Sequence, residues 1–256
     1  MKRICFNPLT LLIVLTLFNC SSFVATGGMG TPGPFSDNKD GMVFFQLDSF
    51  GVTIVGFEDL VDVIYDPDHP TSLNDLAASQ PHRILMNGSY FEASRVHAGW
   101  LSVYGDQHAP LKDDRQLSHM ASQDRNTPGF EFVQLQDWDS SMTSSDKIEF
   151  QTGPLVVDAN MVDTLSIGSS INGSGQHLRT LLAYTEEDSM RYFIITRELC
   201  RLDELGDYLL SLPLFAGKTL WVMNLDGGSS TALYVRDYPQ LNFNMKRRLP
   251  IYLGVK

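Results

Sequence analysis

Apolar positions in this chain recur mostly in short runs and alternations, and only rarely at helical spacing. Residues 42–47 and 52–55 are β-branched and aromatic runs separated by Asp48-Ser49-Phe50-Gly51, and they read as strands. Residues 83–86, 97–104, 129–135 and 251–255 carry the same signature, and residues 155–157 form a short, wholly apolar run of the kind found in central strands. Residues 180–184 and 192–196 flank Thr185-Glu186-Glu187-Asp188-Ser189 and predict a hairpin. Helical spacing is found in two segments. Leu73, Leu76 and Ala77 share a face of residues 71–79, which Thr71 or Ser72 can cap. Leu202, Leu205, Leu209 and Leu210 do the same over residues 201–212, with Pro213 and Gly217 as stop signals. The polar stretches 136–146 and 166–176 read as loops, the first on the surface and the second mobile. Strands outnumber helices. This predicts a mixed α+β fold: one domain built on a strand-rich sheet with a few packed helices.

The most informative interruption of this pattern lies in residues 221–235. An apolar run gives way to Asn224-Leu225-Asp226-Gly227-Gly228-Ser229-Ser230-Thr231, and a second β-prone run follows from Ala232 to Val235. Asp-Gly between two such runs is a hairpin signal, and two glycines permit positive φ or close backbone approach. The stretch gathers one carboxylate, three hydroxyls and several amides on one tip. A plain polar turn and a ligand-binding tip both account for it. A second polar tip is expected at Asn87-Gly88, after the strand at 83–86.

The N-terminus reads as an export signal. Lys2 and Arg3 precede an apolar stretch, Leu9 to Phe18, that is too short to span a bilayer. Leu17-Phe18-Asn19-Cys20 resembles a lipobox, so residues 1–19 are expected to be a lipoprotein-type signal peptide with Cys20 lipidated; an ordinary cleaved signal is the alternative. The glycine-, proline- and serine-rich residues 20–41 read as a flexible tether, leaving 42–256 as the folded domain. Of three cysteines, Cys5 lies in the leader and Cys20 is assigned to the lipid, so Cys200 has no partner for an internal disulfide. The fold then depends on its core, and 43% hydrophobic residues suffice for one. The net charge of −11 becomes −13 once Lys2 and Arg3 are removed, and an acidic domain without a basic stripe is a poor nucleic-acid binder. The late cluster Lys246-Arg247-Arg248 reads as a solvated strand end.

Four blocks, in order, resemble the phosphodiester glycosidase family. These are bacterial relatives of the mannose-6-phosphate uncovering enzyme, N-acetylglucosamine-1-phosphodiester alpha-N-acetylglucosaminidase. The blocks are Ile84-Leu85-Met86-Asn87-Gly88-Ser89-Tyr90-Phe91-Glu92, Gln151-Thr152-Gly153-Pro154-Leu155-Val156-Val157-Asp158, Arg179-Thr180, and Asn224 to Thr231. Ser89 stands where the family has a second glycine, and Glu92 where Asp is more common. The resemblance implies an enzyme, a hydrolase of sugar-1-phosphodiesters in envelope or extracellular glycans.

That chemistry asks for a carboxylate near an oxocarbenium-like carbon and for donors to the departing phosphate. A phosphomonoester has a second pKa of about 6, so it leaves readily and a strong general acid is less necessary than in ordinary glycosidases. Asp226 is accordingly expected as nucleophile or cation stabiliser, with Glu92 as second carboxylate. Arg179 is expected to grip the phosphate, with Thr180 beside it. Asn87 is expected to bind a sugar hydroxyl or to orient Asp226, next to Gly88. Asn224 and the Ser229, Ser230 and Thr231 hydroxyls are auxiliary binding groups, and the amides around Gly227 and Gly228 form an anion-binding concavity. Each also has a plainer explanation in turn chemistry or surface pairing. No nucleophile elbow, zinc helix or Walker loop is present, and His69, His82, His97, His108, His119 and His177 lack zinc spacing. No metal ligand or required cofactor is expected, with a divalent cation such as calcium left open. The expected partners are a phosphodiester-linked glycan and, through Cys20, the membrane of the cell envelope. The rival is a non-catalytic glycan-binding surface lipoprotein.

Overall fold

The alternation read from the sequence places opposite faces of the same strands in two different cores. The computed structural model describes residues 35–256 other than 48, 128, 171 and 172; the leader, Cys20 and residues 20–34 of the expected tether lie outside the described residues. The largest sheet has eight strands, in the order Phe35–Lys39, Met42–Gln46, Thr53–Phe57, Arg191–Ile195, Thr180–Thr185, Leu220–Asn224, Leu155–Asp158 and Met161–Val162. Its neighbours run antiparallel throughout. In its central strands Val55, Phe57, Leu182, Phe193 and Ile195 face one core, while Ile54, Leu181, Ala183, Tyr192 and Ile194 face the other. Period 2 therefore makes these strands read as continuous apolar runs, because both faces are buried.

Two five-stranded sheets complete the first core. One runs Glu131–Gln134, His119–Asp124, Lys147–Thr152, Leu101–Val103, Asp106–Ala109, and contributes Ala121, Phe150 and Leu101. The other runs Phe243–Asn244, Ala232–Val235, Ile84–Asn87, Ile251–Val255, Asp62–Tyr65, and contributes Leu233, Val235, Ile84, Met86, Ile251 and Leu253. A two-stranded pair, Thr71–Ser72 with Arg248–Leu249, stands apart. Helix Leu202–Leu210 covers the outer face of the large sheet with Leu202, Leu205 and Leu209. Helix Leu73–Ser79 packs Leu73 and Leu76 against Leu85 and Tyr252, and Ser72 caps it by accepting the Asp75 amide at 3.2 Å.

The strand-rich character and the packed helices, three among the described residues, follow the expectation. Four points differ. The strands form several sheets, not one. Phe35–Lys39 pairs with Met42–Gln46, so the sheet begins within the segment expected as tether. Leu155–Asp158 is next to the sheet's edge, and its Val156 and Val157 are apolar because they pack in the outer core formed with Leu202–Leu210. Thr164–Ser169 is a helix where a loop was expected, with Asp163 accepting the Ser166 amide at its start.

The fourth block behaves differently from a hairpin. Leu220–Asn224 belongs to the eight-stranded sheet and Ala232–Val235 to the five-stranded sheet containing Ile84–Asn87. Asp226 to Thr231 thus crosses between two sheets, and the strand ends at Asn87, Thr180 and Asn224 meet beneath that crossing.

Candidate active site

Asn87 ends its strand fully buried, and its amide pins the crossing. Nδ2 donates to the Asp226 carbonyl at 2.6 Å and to the Gly88 carbonyl at 3.3 Å. Oδ1 accepts from Thr180 Oγ1 and from the Ala232 amide, both at 3.0 Å. Thr180 Oγ1 also lies 3.4 Å from Thr231 Oγ1, and both threonines are buried. These bonds occupy both ends of the Asn87 side chain. Of the two roles expected for it, they support orientation of Asp226. Gly88 is held alongside, its amide donating to Ile251 O at 3.1 Å.

The two glycines of the tip serve close approach. A Cβ on Gly227 would lie 2.4 Å from the Leu178 carbonyl, and Gly228 adopts φ 59°, a left-handed backbone that a side chain disfavours. One of their amides is already engaged: Gly228 N–H donates to Leu178 O at 2.8 Å. Of the two amides expected to form an anion-binding concavity, that of Gly228 is thus turned to Leu178. Burial raises the Asp226 carboxyl to about 6; the hydroxyl of Ser230, the charge of Arg247 and the Gly227 amide oppose this without overcoming it.

Asp226 lies between two cavities. The smaller, about 240 Å³, is lined by Tyr90, Gln116, His177, Arg179, Asn224 and the tip itself. Here Asn224 Nδ2 donates to the Tyr90 hydroxyl at 2.5 Å and to Gly153 O at 3.2 Å, and the Tyr90 hydroxyl donates to Gly153 O at 3.0 Å. Asn224 Oδ1 is buried and accepts no hydrogen bond. Arg179, expected on the phosphate, is buried in this wall. Its Nε donates to Cys200 O at 3.2 Å and its terminal nitrogen to Gly175 O. These bonds tie residues 175 and 200 together through Arg179. Gly153 and Pro154, of the second block, supply carbonyls that receive the Tyr90 hydroxyl, the Asn224 side chain and the Asn224 amide.

The larger cavity, about 500 Å³, brings Asp226 together with Glu92, the expected second carboxylate, and with Phe91, Arg95, Arg247 and Arg248. Glu92 is exposed and held by Lys112 Nζ at 2.9 Å. Arg247, expected as part of a solvated strand end, is a site residue. It donates to Ser229 Oγ at 2.8 Å and to Ser230 Oγ at 3.3 Å, and its guanidinium lies 5.1 Å from the Phe91 ring centroid. The available sequence signal was its place just before the C-terminal strand, which pairs with Ile84–Asn87 and so returns to the second tip.

The three tip hydroxyls diverge. Ser229 is exposed beneath Arg247, Ser230 serves Asp226, and Thr231 turns into the core. Among the described residues no three of His, Cys, Asp and Glu come together as a metal-binding group, and no helix is long and apolar enough to cross a membrane.

Comparison with known proteins bears on the fold and on the family. The chain superposes on a hypothetical protein from Synechocystis with a TM-score of 0.59 at 12% identity, covering 88% of this chain and 64% of that one. It therefore spans under two thirds of that protein's length. It also superposes on the catalytic domain of zebrafish N-acetylglucosamine-1-phosphodiester alpha-N-acetylglucosaminidase, auto-inhibited by its pro-peptide. That match has a TM-score of 0.58 at 13% identity, covering 90% of this chain and 86% of that one. At such identities the likeness establishes the fold alone. No curated protein matches the sequence. The phosphodiester glycosidase family model matches residues 83–256, a span containing all four sequence blocks and both cavities beside Asp226, and the chain belongs to that family.

Proposed function

We propose that the protein is an exported hydrolase that cleaves the bond between a sugar's anomeric carbon and phosphate in sugar-1-phosphodiesters of envelope or extracellular glycans. The observation carrying this reading is the position of Asp226. It stands between a small pocket lined by Arg179 and Asn224, whose buried Oδ1 is unmet, and a larger cavity rimmed by Arg95, Arg247 and Arg248. A buried acceptor without a donor is costly, and a sugar hydroxyl supplies one. A phosphate takes the opposite side, where the guanidinium of Arg247 stands.

In this arrangement the anomeric carbon sits over the Asp226 carboxylate. As the carbon–oxygen bond breaks, positive charge develops on the ring and negative charge on the departing phosphate. Asp226 in its ionised form stabilises the first and Arg247 the second. The phosphate leaves without protonation, since its second pKa is about 6. Glu92, kept in place by Lys112, lines the same cavity and is assigned the activation of water. Asn87 and Thr180 hold the backbone on which Asp226 is mounted, and Arg179 lines the small pocket beside it.

Export and anchoring through Cys20 rest on the leader sequence. A membrane-tethered enzyme acting on glycans outside the cytoplasm is the corresponding cellular assignment, with no nucleic-acid partner.

Purified protein incubated with a panel of sugar-1-phosphodiesters, with released sugar followed, tests the proposal. Sugar release by the wild type is expected, with Asp226→Asn binding the same compounds without turning them over. A wild type that binds them and releases no sugar would instead be a glycan-binding lipoprotein.

A further inference from the structure

The arginine-rimmed cavity does not end at Arg247. A second cavity, about 510 Å³, opens beside it, walled by Asp68, His69, Pro70 and Thr71, and the two share Arg95 and Arg248. These two guanidiniums come from unrelated elements. Arg248 lies in the short strand paired with Thr71–Ser72. Arg95 closes a tight hairpin: Phe91 bridges His97, the Glu92 amide donates to Val96 O at 2.9 Å, and the Arg95 amide donates to Glu92 O at 2.8 Å.

The backbone at Arg95 makes its side chain informative. In a three-residue hairpin loop the last position is left-handed and favours glycine. Arg95 holds that position with φ 73°. A Cβ in this region is disfavoured, so the fold alone would select glycine here. Strain retained beside a cleft points to use of the side chain.

Among the described residues neither Arg95 nor Arg248 has a carboxylate within ion-pair distance, although the chain carries a net charge of −11. The nearby acids pair elsewhere, Glu92 with Lys112 and Asp66 with His69, while Asp68 lines the far wall of the second cavity. Two unneutralised guanidiniums at the junction of two cavities form a local positive field in an acidic protein.

We propose that Arg95 and Arg248 form a second oxyanion subsite, one group beyond the reacting phosphate. The substrate is then a repeating sugar–phosphate polymer, not a single capped phosphate. The inference rests on the assignment of the Asp226 cleft as a phosphodiester glycosidase site. The same oxyanion chemistry could be supplied by the next phosphate of a polymer or by the carboxylate of an acidic residue in the glycan.

Three probes separate these sources: N-acetylglucosamine-1-phosphoglycerol, the same compound with a phosphate on the glycerol, and its glycerate analogue. At low salt the wild type is expected to favour the doubly phosphorylated probe over the glycerol probe by about tenfold or more in kcat/KM, and the ratio is expected to fall as salt rises. In Arg95→Gly and in Arg248→Gln it drops toward one. Arg95→Gly keeps or raises Tm, because glycine suits the left-handed backbone, so lost preference is not lost folding. A wild-type ratio near one, or one that survives both substitutions, overturns the subsite. A preference shown by the glycerate probe and not by the phosphate probe overturns the polymer assignment. If none of the probes is cleaved, the hydrolase proposal fails separately, and calorimetric binding of the same probes decides the subsite. Tenfold tighter binding of the doubly phosphorylated probe by wild type only upholds it; equal binding overturns it.

Discussion

Two asparagines end strands of different sheets beneath the same crossing, and both are buried, yet they differ in one atom. Asn87 has partners at both ends of its amide, all of them protein groups. Asn224 donates to Tyr90 and Gly153 but leaves Oδ1 without a donor. The two arginines of the site differ in burial and in the kind of partner they have. Arg179 is buried against backbone carbonyls, whereas Arg247 rests on Phe91 at the cavity rim. Around Asn87 the floor of the site is a satisfied network, and a satisfied network positions groups without binding ligand. The rim and the Asn224 pocket keep polar groups for something else. Burial of a motif residue is thus no measure of contact with substrate; what separates the two regions is whether its hydrogen bonds are already made.

The largest effect is expected at the carboxylate between the regions. Asp226→Asn should lower kcat/KM by about 10²–10³-fold, the range of a lost group that stabilises transition-state charge, with binding retained. Wild-type activity should fall as pH drops through about 6, where the carboxyl takes up a proton. The stability sign is opposite to the activity sign. Between the ordinary value of 3.8 and about 6 the folded carboxyl holds a proton that the unfolded one has released, so rising pH through that window destabilises the native state. Asp226→Asn should therefore have a higher Tm than wild type at pH 7–8, with the difference shrinking toward pH 4. A Tm no higher than wild type at pH 8 would remove the burial argument.

Next comes the floor. Asn87→Ala leaves Thr180 Oγ1, the Ala232 amide and the Asp226 carbonyl short of a partner, and is expected to cost about 2–4 kcal/mol in denaturant unfolding. A mild loss of stability with a selective loss of KM would instead place Asn87 on the substrate. Smaller again is Arg247→Ala, expected to reduce kcat/KM by about 10- to 100-fold, as for a lost hydrogen bond to a charged group, with Tm nearly unchanged. Arg247→Lys should recover part of that loss, since the charge remains and the planar fork does not. The smallest effect is expected for Glu92→Gln, roughly tenfold in kcat, because Glu92 is exposed and already paired with Lys112. Comparing Arg247→Ala with an Arg179→Ala variant, scored for both Tm and kcat/KM, sharpens the contrast between rim and floor.

Much of the framework is legible from local pattern. Ser72 caps its helix, Leu202, Leu205 and Leu209 face the core, and Thr180–Thr185 pairs with Arg191–Ile195 as the flanking turn residues imply. The four blocks name residues that do converge: Asn87 reaches the Asp226 carbonyl, Asp226 and Arg179 line one cavity, and Asp226 and Glu92 line another. Other features could not be read this way. Asp226-Gly227 has the local chemistry of a hairpin turn, and only the pairing of its flanking strands with different sheets makes it a crossing. The Gly228 amide of the expected nest is turned to Leu178 O, a partner distant along the chain. Arg247 resembled a solvated charge because its neighbours, Phe91, Ser229 and Ser230, are distant along the chain.

The sequence by itself determined which residue types gather, the period of each strand and the family blocks. These depend on side-chain chemistry and on spacing within a few residues. The tertiary structure decided which of those groups already have partners and which face a cavity. Hydrogen-bond satisfaction is a property of space: the partners of Asn87, Arg179 and Arg247 come from other elements, and only packing brings them within reach.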